Sequence, residues 1–165
     1  MTALLLTGMS GVGKSTALAA LAERGHDCVD TDEGDWIELV DGEPLWRIDR
    51  VDALLAHPRT GPLFVQGTVA NQGELYDRFA AVVLLTAPKT VMLQRLADRT
   101  TNDYGKTAEE RARILDDLTH VEPLLRRGAT HEIDTRQPLT AVVDELERIA
   151  RDASAAQAPD QPADA

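Results

Sequence analysis

Basic residues are scarce in this 165-residue chain: 17 lysines and arginines stand against 28 aspartates and glutamates, a formal net charge of −11. A surface of that balance repels nucleic acid, because nonspecific affinity there rests on neutralising phosphates, so no nucleic-acid partner is expected. Aromatic residues amount to 4%, which leaves aliphatic side chains to fill any core. The single cysteine, Cys28, excludes an internal disulfide, and no Cys/His cluster suggests zinc. No apolar run approaches the roughly 18 residues that cross a bilayer. The start, Met1-Thr2-Ala3, also lacks the basic region of a secretory signal. These absences predict a cytoplasmic chain with no membrane partner.

What is present alternates. Apolar runs at Ala3–Thr7, Asp27–Asp30, Leu63–Gln66, Ala81–Leu85 and Thr130–Asp134 read as five strands. Between them lie helical patterns: Lys14 to Arg24, Ile48 to His57, Asn71 to Phe79, a segment opened by Pro88, one capped by Thr107 and Glu110 and interrupted at Pro123, and one opened by Pro138. Asp35 to Gly42 is ambiguous. Strands alternating with helices predict an α/β fold of three layers, a five-stranded parallel sheet with helices on both faces. The domain is expected to span residues 1–151, with a small lid at about 99–107. After Arg151 the chain turns to Ala, Gln, Pro and Asp, and 152–165 reads as a disordered tail.

One motif carries chemistry. Gly8-Met9-Ser10-Gly11-Val12-Gly13-Lys14-Ser15-Thr16 matches the phosphate-binding loop G-x-x-x-x-G-K-[ST], between an apolar strand and an amphipathic helix. Gly8, Gly11 and Gly13 let backbone N–H groups, including those of Ser10 and Val12, curl around phosphate oxygens. The helix that begins near Lys14 adds its positive end. Lys14 is expected on the β- and γ-phosphates, and the Ser15 hydroxyl on Mg²⁺. The chain therefore reads as binding ATP with Mg²⁺.

Such a loop serves kinases, switches and motors alike. No Asn-Lys-x-Asp segment is present to read guanine, and a chain near one minimal domain leaves little room for the oligomerisation elements of ring ATPases. The carboxylates Asp27, Asp30, Asp32, Glu33 and Asp35 cluster without any Lys or Arg among them. Asp30 and Asp32 end the second strand, expected beside the first, where one can hold Mg²⁺ through water and the other can accept a proton from a hydroxyl. Gln66, Gly67 and Asn71 end or follow the third strand, where ligands sit in open α/β sheets. Trp36 and Trp46 read either as a stacking surface for a planar substrate or as core.

The loop, the triplet Asp30-Thr31-Asp32 and the segment Gly42-Glu43-Pro44-Leu45-Trp46-Arg47 together resemble the shikimate kinase family, and Ile133-Asp134-Thr135-Arg136-Gln137-Pro138-Leu139 is similar to the adenine-contacting loop of shikimate and gluconate kinases. The resemblance spans roughly residues 3 to 150. It implies that Asp30 assists the metal, Asp32 meets the acceptor hydroxyl and Arg47 binds an acceptor carboxylate. It also implies that Arg95 lies against the nucleotide, that Arg136 and Pro138 flank the adenine, and that a lid carries Arg99 and Lys106, with Gly105 as a hinge. Two features of that family are missing. Gln66-Gly67-Thr68 replaces its triple glycine, and no arginine precedes Val121-Glu122-Pro123-Leu124-Leu125, which argues against shikimate as acceptor.

The leading expectation is an ATP-dependent small-molecule kinase that phosphorylates a hydroxyl of a metabolite, nucleoside or sugar-like acceptor. Lys14, Asp32, Arg95 and Arg99 would be catalytic, and Asp32, Arg47, Gln66 and Gly67 would face the acceptor. A nucleoside monophosphate kinase, with Arg47, Arg50 and Arg78 as phosphate-binding candidates, stays open. So does a nucleotide-binding regulatory module. The acceptor and the oligomeric state are not legible.

Overall fold

In the computed structural model, which describes residues 1–157, β1 (Ala3–Thr7) is buried on both faces. Leu4 and Leu6 join one apolar cluster, and Ala3 and Leu5 join another. That two-residue alternation sends successive side chains to opposite faces of the sheet, so one strand nails together two layers. Each fully buried leucine contributes about 1.5–3 kcal/mol relative to exposure.

The chain continues through α1 (Lys14–Glu23), β2 (Asp27–Asp30), β3 (Ile37–Val40), β4 (Glu43–Trp46), α2 (Ile48–Ala56) and β5 (Leu63–Gln66). A 3-10 helix (Gln72–Arg78) leads to β6 (Ala81–Thr86), α3 (Lys89–Asp98), α4 (Ala108–His120), α5 (Glu122–Gly128), β7 (His131–Asp134) and α6 (Leu139–Gln157). Five strands form one parallel sheet in the order β2-β5-β1-β6-β7. Apolar side chains of α1, α3, α4, α5 and α6 cover one face, and those of α2 and the 3-10 helix cover the other. The three-layer α/β fold expected from the alternation is the one observed.

Three boundaries differ from expectation. First, β2 does not lie beside β1, because β5 sits between them. Leu63, Phe64, Val65 and Gln66 are all buried, whereas Asp27-Cys28-Val29-Asp30 bears an acid at each end and suits an edge. Second, the ambiguous stretch after Asp35 is a β3–β4 hairpin forming its own two-stranded antiparallel sheet. Val40 pairs with Glu43, and Asp41 and Gly42 both adopt positive φ (53° and 83°), the geometry of a two-residue hairpin turn. Third, α6 continues past Arg151 to Gln157, in a stretch rich in the strong helix former alanine. Ser154 Oγ donates to Ala150 O (2.8 Å) and bonds Thr2 Oγ1 (2.7 Å), tying this extension to the start of β1. Residues 158–165 of the expected tail lie outside the described residues.

The segment at 71–79 forms a 3-10 rather than an α-helix, burying Gln72 and Leu75 at its three-residue period. Pro123 does interrupt the long helical pattern, with the break at Val121 between α4 and α5. Among the described residues, no helix is long and apolar enough to cross a membrane.

Candidate active site

The strand order places the crossovers on opposite sides of β1, a reversal that opens a crevice outside the carboxyl ends of the strands. Gly8 leaves β1 there with φ +147°, and a Cβ on it would stand 2.5 Å from Leu85 O. Gly11 (φ +85°) and Gly13 (φ +100°) complete the turn into α1, whose first turn has no side-chain cap and no acidic residue. Its free N–H groups and positive dipole end are available to an anion. Val12 is fully buried and serves the loop through its carbonyl.

Lys14 Nζ donates to two carbonyls of its own loop, Gly8 O (2.7 Å) and Met9 O (3.2 Å). Burial pushes its pKa from 10.5 down to about 8, against the upward pull of Asp32 and Asp30, with Arg99 adding to the depression. An ammonium held out of water in this way gains from any phosphate that replaces the carbonyls.

Two cavities meet at this lysine. One, of about 940 Å³, is lined by loop residues Ser10, Gly11, Gly13, Lys14, Ser15 and Thr16, by Asp30, Asp32, Glu33 and Asp98, and by Arg95, Arg99, Thr101, Asn102 and Tyr104. The other, of about 620 Å³, runs from Gly8 and Met9 along Thr68–Ala70, Gln72 and Tyr76 to Asp117 and Leu125, with Glu43 and Pro44 of the hairpin at its edge. Ser10, Lys14 and Asp32 border both.

The aspartates are held from below. Thr31, almost wholly buried between them, receives the indole N–H of Trp46 (2.9 Å) and donates to Gln66 O (2.8 Å). Gln66 pairs with Asp30 in the sheet register, and its side-chain Nε2 donates both to Asp30 Oδ1 and to Asp32 Oδ2 (3.1 Å). Its Oε1 is buried without a partner among the described residues. Gly67 lets the layers close, since a Cβ there would lie 2.2 Å from Thr31 Oγ1 and 3.0 Å from the Trp46 ring. Gln66 and Gly67 therefore support the site and line neither cavity. Asn71 is likewise consumed, its amide bonding Trp46 N (2.9 Å) and Trp46 O (3.0 Å). Trp46 itself is 1% exposed and fills the core, which decides its role against stacking on a substrate.

The hydroxyl of Ser15 and the two carboxylates are hard oxygen donors, few in number, on the wall of the larger cavity. That set fits Mg²⁺, which keeps several waters and takes phosphate oxygens. Among the described residues no group of three or more His, Cys, Asp or Glu side chains can hold a metal alone.

The arginines divide. Arg95 lines the larger cavity and clamps it, with Nη1 donating to Val12 O (3.1 Å) and Thr135 Oγ1 (2.8 Å) and Nη2 to Thr135 O (2.8 Å). Arg99 lines it too, but its guanidinium bonds within its own loop, to Asn102 O (3.0 Å) and Tyr104 O (2.9 Å). Lys106 pairs with Asp103 (3.1 Å) and lines neither cavity. Gly105 is buried against Leu96 and Ile114, and its N–H is held by Glu110, so it anchors the loop at 99–107, where a hinge was expected. Arg47 lies outside both cavities, paired with Asp35 (3.2 Å) and Glu38 (3.8 Å). Arg136 is exposed and bound to Asp134, and Pro138 opens α6; neither lines a cavity.

Two threonines went unread in the sequence as site residues. Thr68 Oγ1 donates to Gly8 O (2.8 Å) and receives Gly8 N (3.3 Å), fastening the end of β5 to the loop. Thr135 Oγ1 lies 2.7 Å from Val12 O and 3.1 Å from Thr86 O. Both follow a strand's carboxyl end by a residue or two, which is the signal that marks them.

The model of the AAA-domain family matches residues 4–116, which includes the loop, both aspartates and Arg95. The chain belongs to the AAA-domain family. This AAA domain is 29% identical over 140 residues to a nucleotide-binding protein of Polynucleobacter asymbioticus, covering 79% of the chain and 46% of that relative. Over 131 residues it is 29% identical to a nucleotide-binding protein of Fervidobacterium nodosum, covering 73% and 45%. The chain thus spans about half the length of the curated relatives it matches. Among solved structures, the AAA domain is similar to shikimate kinase from Acinetobacter baumannii in complex with shikimate (TM-score 0.62, 21% identity, 95% of each chain). It is also similar to a gluconokinase from Sinorhizobium meliloti 1021 (TM-score 0.59, 21% identity, 95% of this chain and 98% of that one). At those identities the likeness shows the fold: that of the P-loop kinases of shikimate and gluconate kinase type.

Proposed function

We propose that this protein is an ATP-dependent small-molecule kinase that transfers the γ-phosphoryl group to a hydroxyl. The observation that carries the reading is the meeting of two cavities at Ser10, Lys14 and Asp32. One cavity has the cations and loop N–H groups that suit a triphosphate, and the other opens on the far side of the lysine. A donor and an acceptor seated in them would face each other across Lys14 and Asp32, which is the positioning that phosphoryl transfer needs.

In this reading the loop from Gly8 to Thr16 cradles the β- and γ-phosphates, and Lys14 leaves the carbonyls of Gly8 and Met9 to bind them. Ser15 and Asp30 would hold Mg²⁺, which supplies charge neutralisation at the phosphate oxygens. Asp32 accepts the proton of the acceptor hydroxyl as its oxygen bonds to the γ-phosphorus; the bond to the β-phosphate oxygen breaks and ADP leaves. Arg95 keeps the loop in shape from behind, and Arg99 adds positive charge beside the transferring group. The acceptor is a small molecule, and the reaction is assigned to the cytoplasm.

Arg47, Arg50 and Arg78 are held by Asp35, Glu38 and Asp52, outside the acceptor cavity, and that disfavours a nucleoside monophosphate kinase. The test is ADP release from MgATP against panels of hydroxylated metabolites, nucleosides and nucleoside monophosphates. Turnover that depends on a hydroxyl acceptor and is lost in Asp32→Asn supports the reading. Turnover with monophosphates alone overturns it. Tight ATP binding with no acceptor effect in any panel marks a regulatory module instead.

A further inference from the structure

We infer that the acceptor bears no anionic group and carries a protonated amine beside an apolar face, an inference that rests on the kinase reading and names its substrate class. The acceptor cavity has three carboxylates on its lining, Asp32, Glu43 and Asp117, and one basic side chain, Lys14. Lys14 is committed to the loop carbonyls and to the phosphates that replace them. Neither Glu43 nor Asp117 has an ion-pair partner among the described residues. A carboxylate or phosphate entering this cavity meets like charge with no arginine to receive it, whereas an ammonium finds two carboxylates that lack a cation.

The shape of the cavity sets this lining apart from a merely acidic surface. The wall beside Asp117 is apolar, made by Val121, Leu124 and Leu125, with Leu124 56% exposed in a chain that buries most of its large aliphatics. A cavity of about 620 Å³ with one apolar wall and a few placed polar groups has the form of a small-molecule site.

The reactive hydroxyl then lies at the Asp32 end and the amine between Glu43 and Asp117, with the apolar part against Leu124 and Leu125. Selection against the wrong charge would come from repulsion as much as from attraction to the right one.

The experiment uses the full chain and two matched series that differ only in charge at nitrogen. These are glucosamine with its N-acetyl and N-succinyl forms, and phenylalaninol with its N-acetyl and N-succinyl forms. Binding is measured by calorimetry with a non-hydrolysable ATP analogue and Mg²⁺, and ADP release is measured separately with MgATP. In at least one series the free amine is expected to bind at least tenfold more tightly than the N-succinyl form. Glu43→Gln and Asp117→Asn are expected to weaken the amine at least fivefold and to move the N-acetyl form less than twofold. An N-succinyl compound that binds best, equal losses for amine and N-acetyl forms in both variants, or no binding by any member overturns the inference. The kinase reading fails differently. Tight amine binding without ADP release overturns catalysis and keeps the charge assignment, whereas ADP release fastest with an N-succinyl form keeps catalysis and overturns the assignment.

Discussion

The two cavities share Ser10, Lys14 and Asp32, both carry carboxylates, and they differ in their cations. The larger sets α1's uncapped first turn, Arg95 and Arg99 beside Asp30, Glu33 and Asp98. The smaller has Glu43, Asp117 and an apolar wall, with no cation beyond Lys14. The larger is built largely from a continuous loop, and the smaller takes side chains delivered by β4, the 3-10 helix, α4 and α5. Under the kinase reading, the fold would fix the donor chemistry and leave acceptor choice to those side chains.

The largest effect that sharpens this division is Asp32→Asn. It is expected to lower turnover by about 10²–10⁴, the usual contribution of a positioned base, while nucleotide affinity moves less than threefold. Steady-state kinetics beside calorimetry with an ATP analogue check it; an equal loss in both would merge the two halves.

Next comes Gly67→Ala. The new Cβ meets Thr31 Oγ1 and the Trp46 ring, so a destabilisation of about 1–3 kcal/mol is expected. Because Thr31 carries the two aspartates, turnover should fall more than nucleotide binding does. Thermal unfolding and the same kinetic pair report it.

The third effect is one of pH. In the free protein Lys14 has a pKa near 8, and bound phosphates favour its charged form. Between pH 8 and the higher pKa of the complex, binding must take up a proton, so nucleotide affinity is expected to fall as pH rises, by up to about tenfold per unit. The stability contribution of the same group has the opposite sign. Its folded pKa lies below its unfolded value of 10.5, so the unfolded chain binds more protons between pH 8 and 10.5, and this group makes the free protein more stable as pH rises through that window. Lys14→Met should remove both trends in affinity titrations and unfolding curves.

The smallest is Thr135→Val. It deletes the hydroxyl shared by Val12 O, Thr86 O and Arg95, and a cost of about 1 kcal/mol is expected, seen as a fall in unfolding temperature of about 2–4 °C. Nucleotide affinity should weaken about fivefold, with the acceptor KM unchanged.

How much of this was legible follows from the same division. Gly8 to Thr16 is one run of nine residues, and its placement between a strand and a helix can be read directly. The capping box of α4 could be read too, since Thr107 and Glu110 do bond reciprocally. Arg47 could not be placed, because its role depended on where its neighbours point. Trp46 is drawn into the core by Thr31, and Arg47 is left to Asp35 and Glu38. The hairpin is marked by Asp41-Gly42, a strong turn signal, while the weak alternation around it leaves the stretch ambiguous. The position of β2 needed a comparison of burial between two strands, which local pattern does not supply. Glu43, Tyr76 and Asp117 come from three separate elements, and no spacing in the chain announces that they share a cavity.

The β3–β4 hairpin is hydrogen-bonded into no strand of the main sheet, and it reaches the core chiefly through the buried Trp46, whose backbone Asn71 holds. Its Glu43 and Pro44 nevertheless border the acceptor cavity. An element fastened at one end and exposed at the other behaves as an exchangeable reading head. Under the kinase reading, residues 37–45 can be redrawn, by drift or by design, to accept a different molecule without touching the loop that would hold the nucleotide's phosphates.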